Sequence, residues 1–531
     1  MARTRDPSTE NVERIQNRIV AANRITIEID PQIQSPAAAP IAKPSDMISA
    51  PAATPLAGCL RRGCTLHVIT PPRYAALRTD TGPQPSPAPA RAGERCPDSL
   101  PRMARKTAAA RTSARARPGA QSAARAGSEP SIPLAEFAAR RDSLLKQLKS
   151  SVGLVFAGEQ DPSLHHEWRP HPHFEYLTGI ADEPGAALLL DPVHPVPARR
   201  VQLFLRPLNP EVEKWDGLRD MIASPLRARY GIATIFRTNA LARWLLESAS
   251  RAKRLACLHP LAAHTAPVSP DLAVFRESAA RIPGCAIADE SQLIPKMRAR
   301  KSPREIAMVE RALSISREGF LAAMRTIRPG ITEFDVQEAM EHAYRTSGSR
   351  RTAYRTIAGT GLNATVLHYH ANDAALEAGQ LMVIDSGAAF GGYASDITRT
   401  FPVSGTFTAR QRELYEIVLK AQAAAIAAIR PGATLSDFDR AARQVITKAG
   451  YGDWFIHGTG HHLGLEVHDA SPDAPLAPGA IVTVEPGIYI PDEKIGIRIE
   501  DDVLVTPGGR RVLGPPIPKT VAEIERAMGR R

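Results

Sequence analysis

Regular patterning of apolar and polar positions begins near Ile132. "PLAEFAARRDSLLKQL" carries helical spacing, while "VGLVFAG", "AALLLD" and "VQLFLRP" are short apolar runs that read as buried strands. Residues 131–290 are therefore expected to form an α/β domain of strands alternating with helices. A second domain, assigned residues 291–531, has its first helix signalled at Ser302 by "SPREIAMVERALSISREGFLAAM". Ser302 caps, Pro303 suits the first helical position, and Glu305 completes a capping box. Ile306, Val309, Leu313, Phe320 and Met324 then recur on one face.

The pattern also repeats. "IRPGITEFDVQEAMEHAYRTSG" from Ile327 returns as "IRPGATLSDFDRAARQVITKAG" from Ile429. Pro-Gly followed by Thr is common punctuation, but agreement over 22 ungapped residues favours a duplication whose halves share a core and a seam. After each repeat come two apolar runs around a Gly-rich turn. The first, "LMVIDSGAAFGGYASDITRTF", reads as a hairpin in which Asp385 closes one strand and Asp396 opens the next. The second pair is "AIVTVEPGIYI" and "IGIRIEDDVLV". Period two sets Thr483 and Glu485 opposite Val482 and Val484, and Arg498 and Glu500 opposite Ile497 and Ile499. Arg498 thus shares a face with Glu500 and reads as its charge partner, whereas Arg399 falls on the face opposite Asp396.

Composition sharpens the boundary at residue 130. Residues 1–130 hold 17 of the 46 prolines and carry 19 Lys/Arg against 10 Asp/Glu; the rest of the chain carries 48 against 45. The net charge of +12 thus belongs mainly to one end, and the body gives no indication of nucleic-acid binding. A disordered basic extension is the expectation for 1–130, with a transit peptide or an upstream stretch ahead of a true start at Met103 as competing readings. No apolar run approaches a membrane span, and the first ten residues lack the apolar core of a secretory signal. Five cysteines without a disulfide rhythm fit a reducing, cytoplasmic setting. Cys59, Cys64, His67 and Cys96 are too irregularly spaced for a convincing zinc site.

Two features carry chemistry. "HGTGHHLGLEVHD", from His457 to Asp469, interleaves four histidines with glycines. Its glycines argue against a helix, no HExxH pattern is present, and alone it fits a metal loop as well as a solvated one. The second feature is Asp385, Asp396, Glu485 and Glu500 within β-branched strands, where acids are unexpected without partners. Singly, each reads as a half-exposed strand residue or one end of a salt bridge. Together they pose a problem: neighbouring carboxylates about 4 Å apart repel by roughly 4 kcal/mol per pair at an effective dielectric of 20. Two divalent cations would balance four carboxylates, and a neutral imidazole could fill one more position.

The order Asp385, Asp396, His461, Glu485, Glu500 resembles the five-ligand dinuclear site of the pita-bread metallopeptidases. "LHYHAND", "DSGAAFGGYASDITRTFPV", "HGTGHHLGLEVHD", "VEPGIYI" and "IRIEDD" are similar to motifs of the aminopeptidase P and prolidase branch. Upstream, "FEYLTGIADEPGAALLLDP" and "LFLRPLNPEVEKWDG" resemble that branch's N-terminal domain, so the resemblance spans about residues 132–518. It implies an α/β (α+β) chain with a pseudo-twofold catalytic domain. It further implies that Asp385 binds one metal and His461 with Glu485 the other, that Asp396 and Glu500 bridge, and that the metal is manganese. His368 and His468 are implied to steady the scissile carbonyl and the tetrahedral intermediate. His457 is implied to orient the ligand loop, and His462 to flank it without a role. The implied activity is removal of the residue preceding proline from a peptide, by a hydroxide bridging the two metals, with Glu485 carrying the proton and the enzyme a dimer or higher homo-oligomer. Departures from the pattern are His171 and His173, where a polar stretch is expected, and His370, where a small polar residue is. A dipeptide-restricted prolidase is the nearest alternative; it would have to anchor the carboxylate just past proline with an Arg or Lys, and neither Arg399 nor Arg498 is obliged to serve, so an open subsite is expected. A non-catalytic peptide-binding module or a creatinase-like hydrolase would lack ligands that are present here, and a methionine aminopeptidase would lack the upstream domain.

Overall fold

The structure, a computed structural model, describes residues 129–160 and 167–529. The expectations for the basic extension, the start at Met103 and the Cys59, Cys64, His67 and Cys96 group lie outside the described residues. Cys257 and Cys285 are free thiols. Among the described residues no helix is long and apolar enough to cross a membrane.

The first patterned region builds a six-stranded mixed sheet. Strands β1 (Val152–Phe156), β2 (Ala187–Leu190), β3 (Val201–Leu205), β4 (Thr234–Arg237), β5 (Arg254–Cys257) and β6 (Ala286–Asp289) lie in the order β4-β3-β2-β1-β5-β6. The apolar runs "LLL" and "VQLFL" are buried on both faces, as expected of strands covered by helices. The alternation with helices holds except between β2 and β3, which are antiparallel neighbours joined through a single 3₁₀ turn.

The second region repeats one unit twice. The helix Pro303–Thr326 starts with the expected Ser302–Glu305 capping box. The helices Glu333–Thr346 and Leu435–Lys448 start with matching boxes, Thr332 with Asp335 and Thr434 with Asp437. Gly330 and Gly432, at corresponding places in the repeat, take φ of 89° and 85°. Their N–H groups donate to the carbonyls of Leu376 and Leu476 at 3.0 and 2.8 Å. Each half thus closes the same turn with the same bonds, which is what a duplicated unit requires.

Beyond each repeat lies a small antiparallel sheet. In the first half β7 (Ile357–Thr360), β8 (Leu381–Asp385) and β11 (Thr398–Pro402) are ordered β11-β8-β7. A two-residue-per-strand hairpin, β9 (Ala389–Phe390) with β10 (Tyr393–Ala394), interrupts the connection. In the second half β12 (Ile481–Val484), β15 (Asp501–Thr506) and β16 (Gly509–Val512) form one sheet, and β13 (Gly487–Ile490) with β14 (Ile495–Arg498) another. Every residue of β8 and β12 is buried. The acids at their C-terminal ends are therefore carried into the interior by the strands that precede them.

Candidate metal centre and active site

The two halves present their acids in the same way. Asp385 closes β8 and Glu485 follows β12 directly, each at the end of a buried apolar strand. Glu500 stands immediately before β15, and Asp396 two residues before β11. The expected placement of Asp396 as the first residue of a strand is thus corrected: it lies in the segment between the inserted hairpin and β11. Asp385 is paired with Thr398, and the two chains are squeezed together beside the acids. A Cβ on Gly387 would fall 1.8 Å from the carbonyl oxygen of Ser395, so only glycine permits this approach.

The histidine-rich segment is neither helix nor free loop. Glu485 N–H donates to Thr459 O at 2.8 Å, Thr483 N–H to His461 O at 2.9 Å, and Leu463 N–H to Ile481 O at 3.0 Å. Residues 459–463 therefore run antiparallel along the edge of β12 that β15 leaves open. Gly460 makes this possible, because a Cβ there would sit 2.0 Å from Thr483 O. The ladder delivers His461 beside Glu485 and Asp396, with Nε2 3.6 and 3.5 Å from their carboxylates. His461 Nδ1–H donates to His462 O at 3.0 Å, which leaves Nε2 as the free lone pair.

Three further groups fix the acids. Thr398 Oγ1–H donates to Glu500 Oε2 at 2.7 Å, while Glu500 Oε1 is buried without a partner among the described residues. The Tyr354 hydroxyl lies 2.5 Å from Asp385 Oδ1 and also contacts Asp396. One hydroxyl proton can satisfy only one of these carboxylates, so a second positive centre is wanted between them. Arg498 is not the charge partner of Glu500. Its guanidinium pairs with Asp385 at 2.7 Å and also donates to Tyr489 and Thr398, reaching Glu500 only through Thr398. The single strand expected across Arg498 and Glu500 is broken, because β14 ends at Arg498 and β15 of another sheet begins at Asp501; the packing of β14 against β8 gives Arg498 its partner. His457 accepts from Tyr489 OH at 2.9 Å through Nε2 and donates through Nδ1 to Gly458 O at 2.8 Å. A chain of bonds therefore runs from His457 through Tyr489 and Arg498 to Asp385.

The electrostatics show a site short of positive charge. Burial, then the neighbouring Asp396, Glu485 and Asp385, push Glu500 well above the carboxylate range. Burial pushes Glu485 up to about 8 against the pull of His461. Asp396 is raised for the same reason, burial outweighing its hydrogen bond with His461. Burial opposes a charge on His461, but Asp396 and Glu485 win and raise it to about 9. Without cations, protons occupy the positions between these groups. Asp396, His461 and Glu500 can offer ligand atoms within 4.8 Å of one another. Oxygen-rich donors, one imidazole with a free Nε2 and an orphaned Glu500 Oε1 fit divalent metal ions.

All nine residues singled out in the sequence, Asp385, Asp396, His461, Glu485, Glu500, His368, His457, His468 and Arg498, line one cavity of about 470 Å³. His468 stands edge-on to His461, ring centres 4.1 Å apart, and burial with the His461 and His368 rings lowers its basicity. His370 also lines the cavity, its ring stacked 6.5 Å from His368. His462 is buried away from it, and the carbonyl beside its ring accepts both the His461 ring proton and the Asp469 N–H. It is thus more than a flank, since its backbone sets the His461 tautomer. His171 and His173 form an imidazole cluster with His259 outside the cavity. Arg399 lies on the opposite face as expected and pairs with Asp501 at 2.7 Å. Tyr354, Thr398, Tyr489 and Arg355 are site residues that sequence reasoning misses. The side chains of Tyr354 and Thr398 reach the acids, and that of Tyr489 reaches Arg498 and His457, only through long-range packing.

The model of metallopeptidase family M24 matches residues 307–507, and that of the aminopeptidase P N-terminal domain matches residues 137–256. An Xaa-Pro aminopeptidase of Haemophilus influenzae is 33% identical over 439 residues, covering 75% of this chain and 98% of that protein. The solved structure of an aminopeptidase from Pseudomonas aeruginosa is 33% identical with a TM-score of 0.67, over 75% of this chain and 98% of that one. An Xaa-Pro dipeptidase of Pyrococcus furiosus is 41% identical over 226 residues, 42% of this chain and 64% of that enzyme. With both domain models matched and a relative covered along nearly its whole length, the chain belongs to metallopeptidase family M24, in its aminopeptidase P branch, and is a peptidase.

Proposed function

We propose that the protein is a metal-dependent aminopeptidase that cleaves the bond between an N-terminal residue and a following proline. The observation that carries this reading is the convergence of three buried carboxylates, the half-buried Glu485 and His461 Nε2 on one cavity, with Glu500 Oε1 left unpartnered among the described residues. Asp385 would hold one divalent ion, His461 and Glu485 the other, and Asp396 and Glu500 would be shared; manganese suits this donor set. Bound cations supply Lewis acidity and lower the pKa of the attacking water, which as hydroxide would lie between them.

The chain's own residues account for the remainder. Arg498 and Tyr354 hold Asp385 in place, and Thr398 orients Glu500 so that its second oxygen faces the cavity. His368 and His468 line the cavity as N–H donors for the scissile carbonyl, where charge develops during attack. Glu485, beside the attacking water, can take its proton and pass it to the leaving nitrogen. Proline makes that nitrogen a tertiary amide without an N–H, with a ring that restricts the backbone, so a shaped wall can select it.

The reading extends to the domain map, with residues 131–290 as the N-terminal domain, 291–531 as the catalytic domain and 1–130 as an accessory extension. It also takes the protein as a cytoplasmic homo-oligomer acting on peptides with proline second, without nucleic-acid or membrane partners. The test is product analysis with manganese present. Xaa-Pro-Yaa should yield free Xaa and Pro-Yaa, while Xaa-Ala-Yaa should turn over at least tenfold more slowly. Equal cleavage of both would refute proline selection. Cleavage of Xaa-Pro alone would favour the dipeptidase, a reading supported by the match to the Pyrococcus enzyme over the catalytic region.

A further inference from the structure

The cavity contains two guanidinium groups, and they differ in kind. Arg498 is buried and committed to Asp385, Tyr489 and Thr398. Arg355 is exposed, and among the described residues its guanidinium donates one long hydrogen bond, to His370 O at 3.5 Å. The four acids of the cavity need their charge balanced by bound metal ions, so none of them is available to Arg355. Arg355 is held in place by its surroundings. Tyr354 before it is fixed to Asp385, and Ile357 two residues after it pairs in register with Asp385. It therefore stands at most two residues, about 7 Å, along the chain from the position opposite a candidate metal ligand.

We propose that Arg355 is a specificity residue that binds the free C-terminal carboxylate of a tripeptide substrate, Xaa-Pro-Yaa. This rests on the aminopeptidase reading above and adds a substrate length to it. The carboxylate of a tripeptide lies two residues past the scissile carbonyl, about 7 Å in extended chain, the same span as that between Arg355 and the position facing Asp385. A dipeptide carboxylate lies one residue out, about 3.5 Å, close to the acids and the buried Arg498. A planar guanidinium with little prior engagement is suited to a bidentate carboxylate contact, and its exposure keeps the gain modest. The expectation of a subsite with no cation is replaced by one with a single arginine at its outer end.

The experiment compares kcat/KM for matched Xaa-Pro-Yaa acid, Xaa-Pro-Yaa amide and Xaa-Pro acid under one manganese concentration. It uses the full chain and its Arg355→Gln, Arg355→Lys and Arg355→Glu variants. The expected acid-to-amide preference of the unaltered enzyme is about tenfold, equivalent to about 1.4 kcal/mol. It should fall to near one in Arg355→Gln, survive in part in Arg355→Lys, and invert in Arg355→Glu. Calorimetric binding of Pro-Yaa and its amide should show the same order without turnover. An Arg355→Gln preference equal to that of the unaltered enzyme overturns the proposal, as does the absence of any preference at the outset. A larger loss on Xaa-Pro than on Xaa-Pro-Yaa overturns the tripeptide assignment. Failure to cleave any of the peptides would instead strike the aminopeptidase reading itself.

Discussion

Replacing Asp469 with Ala should cost about 3–5 kcal/mol of stability and most of the activity, although Asp469 lies outside the cavity. Its carboxylate pairs with Lys301 Nζ at 3.0 Å and with the Arg298 guanidinium. The side chains of these cations are 1% and 2% exposed, so truncation strands buried positive charge. Arg298 keeps Glu466 at 2.8 Å, so Lys301 accounts for most of the cost and the lower end of the range applies. Burial works to raise the Asp469 carboxyl, but Lys301 and Arg298 hold it below its usual range. The pairing is therefore intact at neutral pH and is lost only as pH falls through that lowered value. Asp469 N–H, which alanine keeps, donates to His462 O at 2.8 Å, so the side-chain pairs with Lys301 and Arg298 are what anchor the segment carrying His461 and His468 and what the substitution removes. A shift of about 1 Å in those rings would lower kcat/KM on the order of a hundredfold. Urea unfolding and kinetics of Asp469→Ala measure both effects, and Lys301→Met added to Asp469→Ala should recover part of the stability by removing the stranded charge. A loss under about 1 kcal/mol, or a second substitution that adds its own penalty, would refute the reasoning.

Metal binding should strengthen as pH rises. In the metal-free chain the raised Asp396, Glu485 and Glu500 keep protons that the unfolded chain releases, so stability falls as pH climbs from about 4.5 towards 8. The contribution of His461 is full below about 6.5 and is lost through about 9. Cations must displace these protons, so the manganese-induced rise in Tm should be larger at about pH 9 than at about pH 6; equal shifts would contradict this. Among the described residues, a chain beginning at Ser131 loses the Glu129–Arg311 pair, 3.1 Å apart and worth about 0–1 kcal/mol, and it should keep its activity. Loss of most of its rate with metal still bound would make the N-terminal region structural. Gly460→Ala should cost about 1–3 kcal/mol and weaken metal binding, because its Cβ meets Thr483 O at 2.0 Å, whereas Gly458→Ala meets nothing within 4 Å and should be tolerated. Equal metal affinity in the two variants would sink the ladder argument.

Sequence periodicity located what local physics dictates. The capping box at Ser302, the buried strands β8 and β12, and the acids at their ends are all written in short-range pattern. The duplicated "IRPG" segments told that two equivalent units meet, and the structure builds the same turn bonds in each. Period two also set Arg399 and Arg498 on the correct faces. A face is not a partner, however: Arg498 found Asp385 across a sheet contact that no spacing encodes. The inserted hairpin at residues 389–394 was hidden because its glycines read equally well as a single wide turn. Tyr354 gives no signal in its own neighbourhood, since its hydroxyl meets acids 31 and 42 residues away. His462 was passed over because its function lies in a backbone carbonyl, which residue identity does not mark.

The central claim is that Asp385, Asp396, His461, Glu485 and Glu500 together hold two divalent cations. Elemental analysis of the manganese-loaded chain and of Glu500→Ala, each paired with Xaa-Pro-Yaa hydrolysis, tests it most directly. Glu500 is 1% exposed, and its unpartnered Oε1 has no other visible purpose among the described residues. The account predicts two equivalents and hydrolysis in the unaltered chain, with bound metal and hydrolysis lost together in Glu500→Ala. Two full equivalents retained by Glu500→Ala would contradict it.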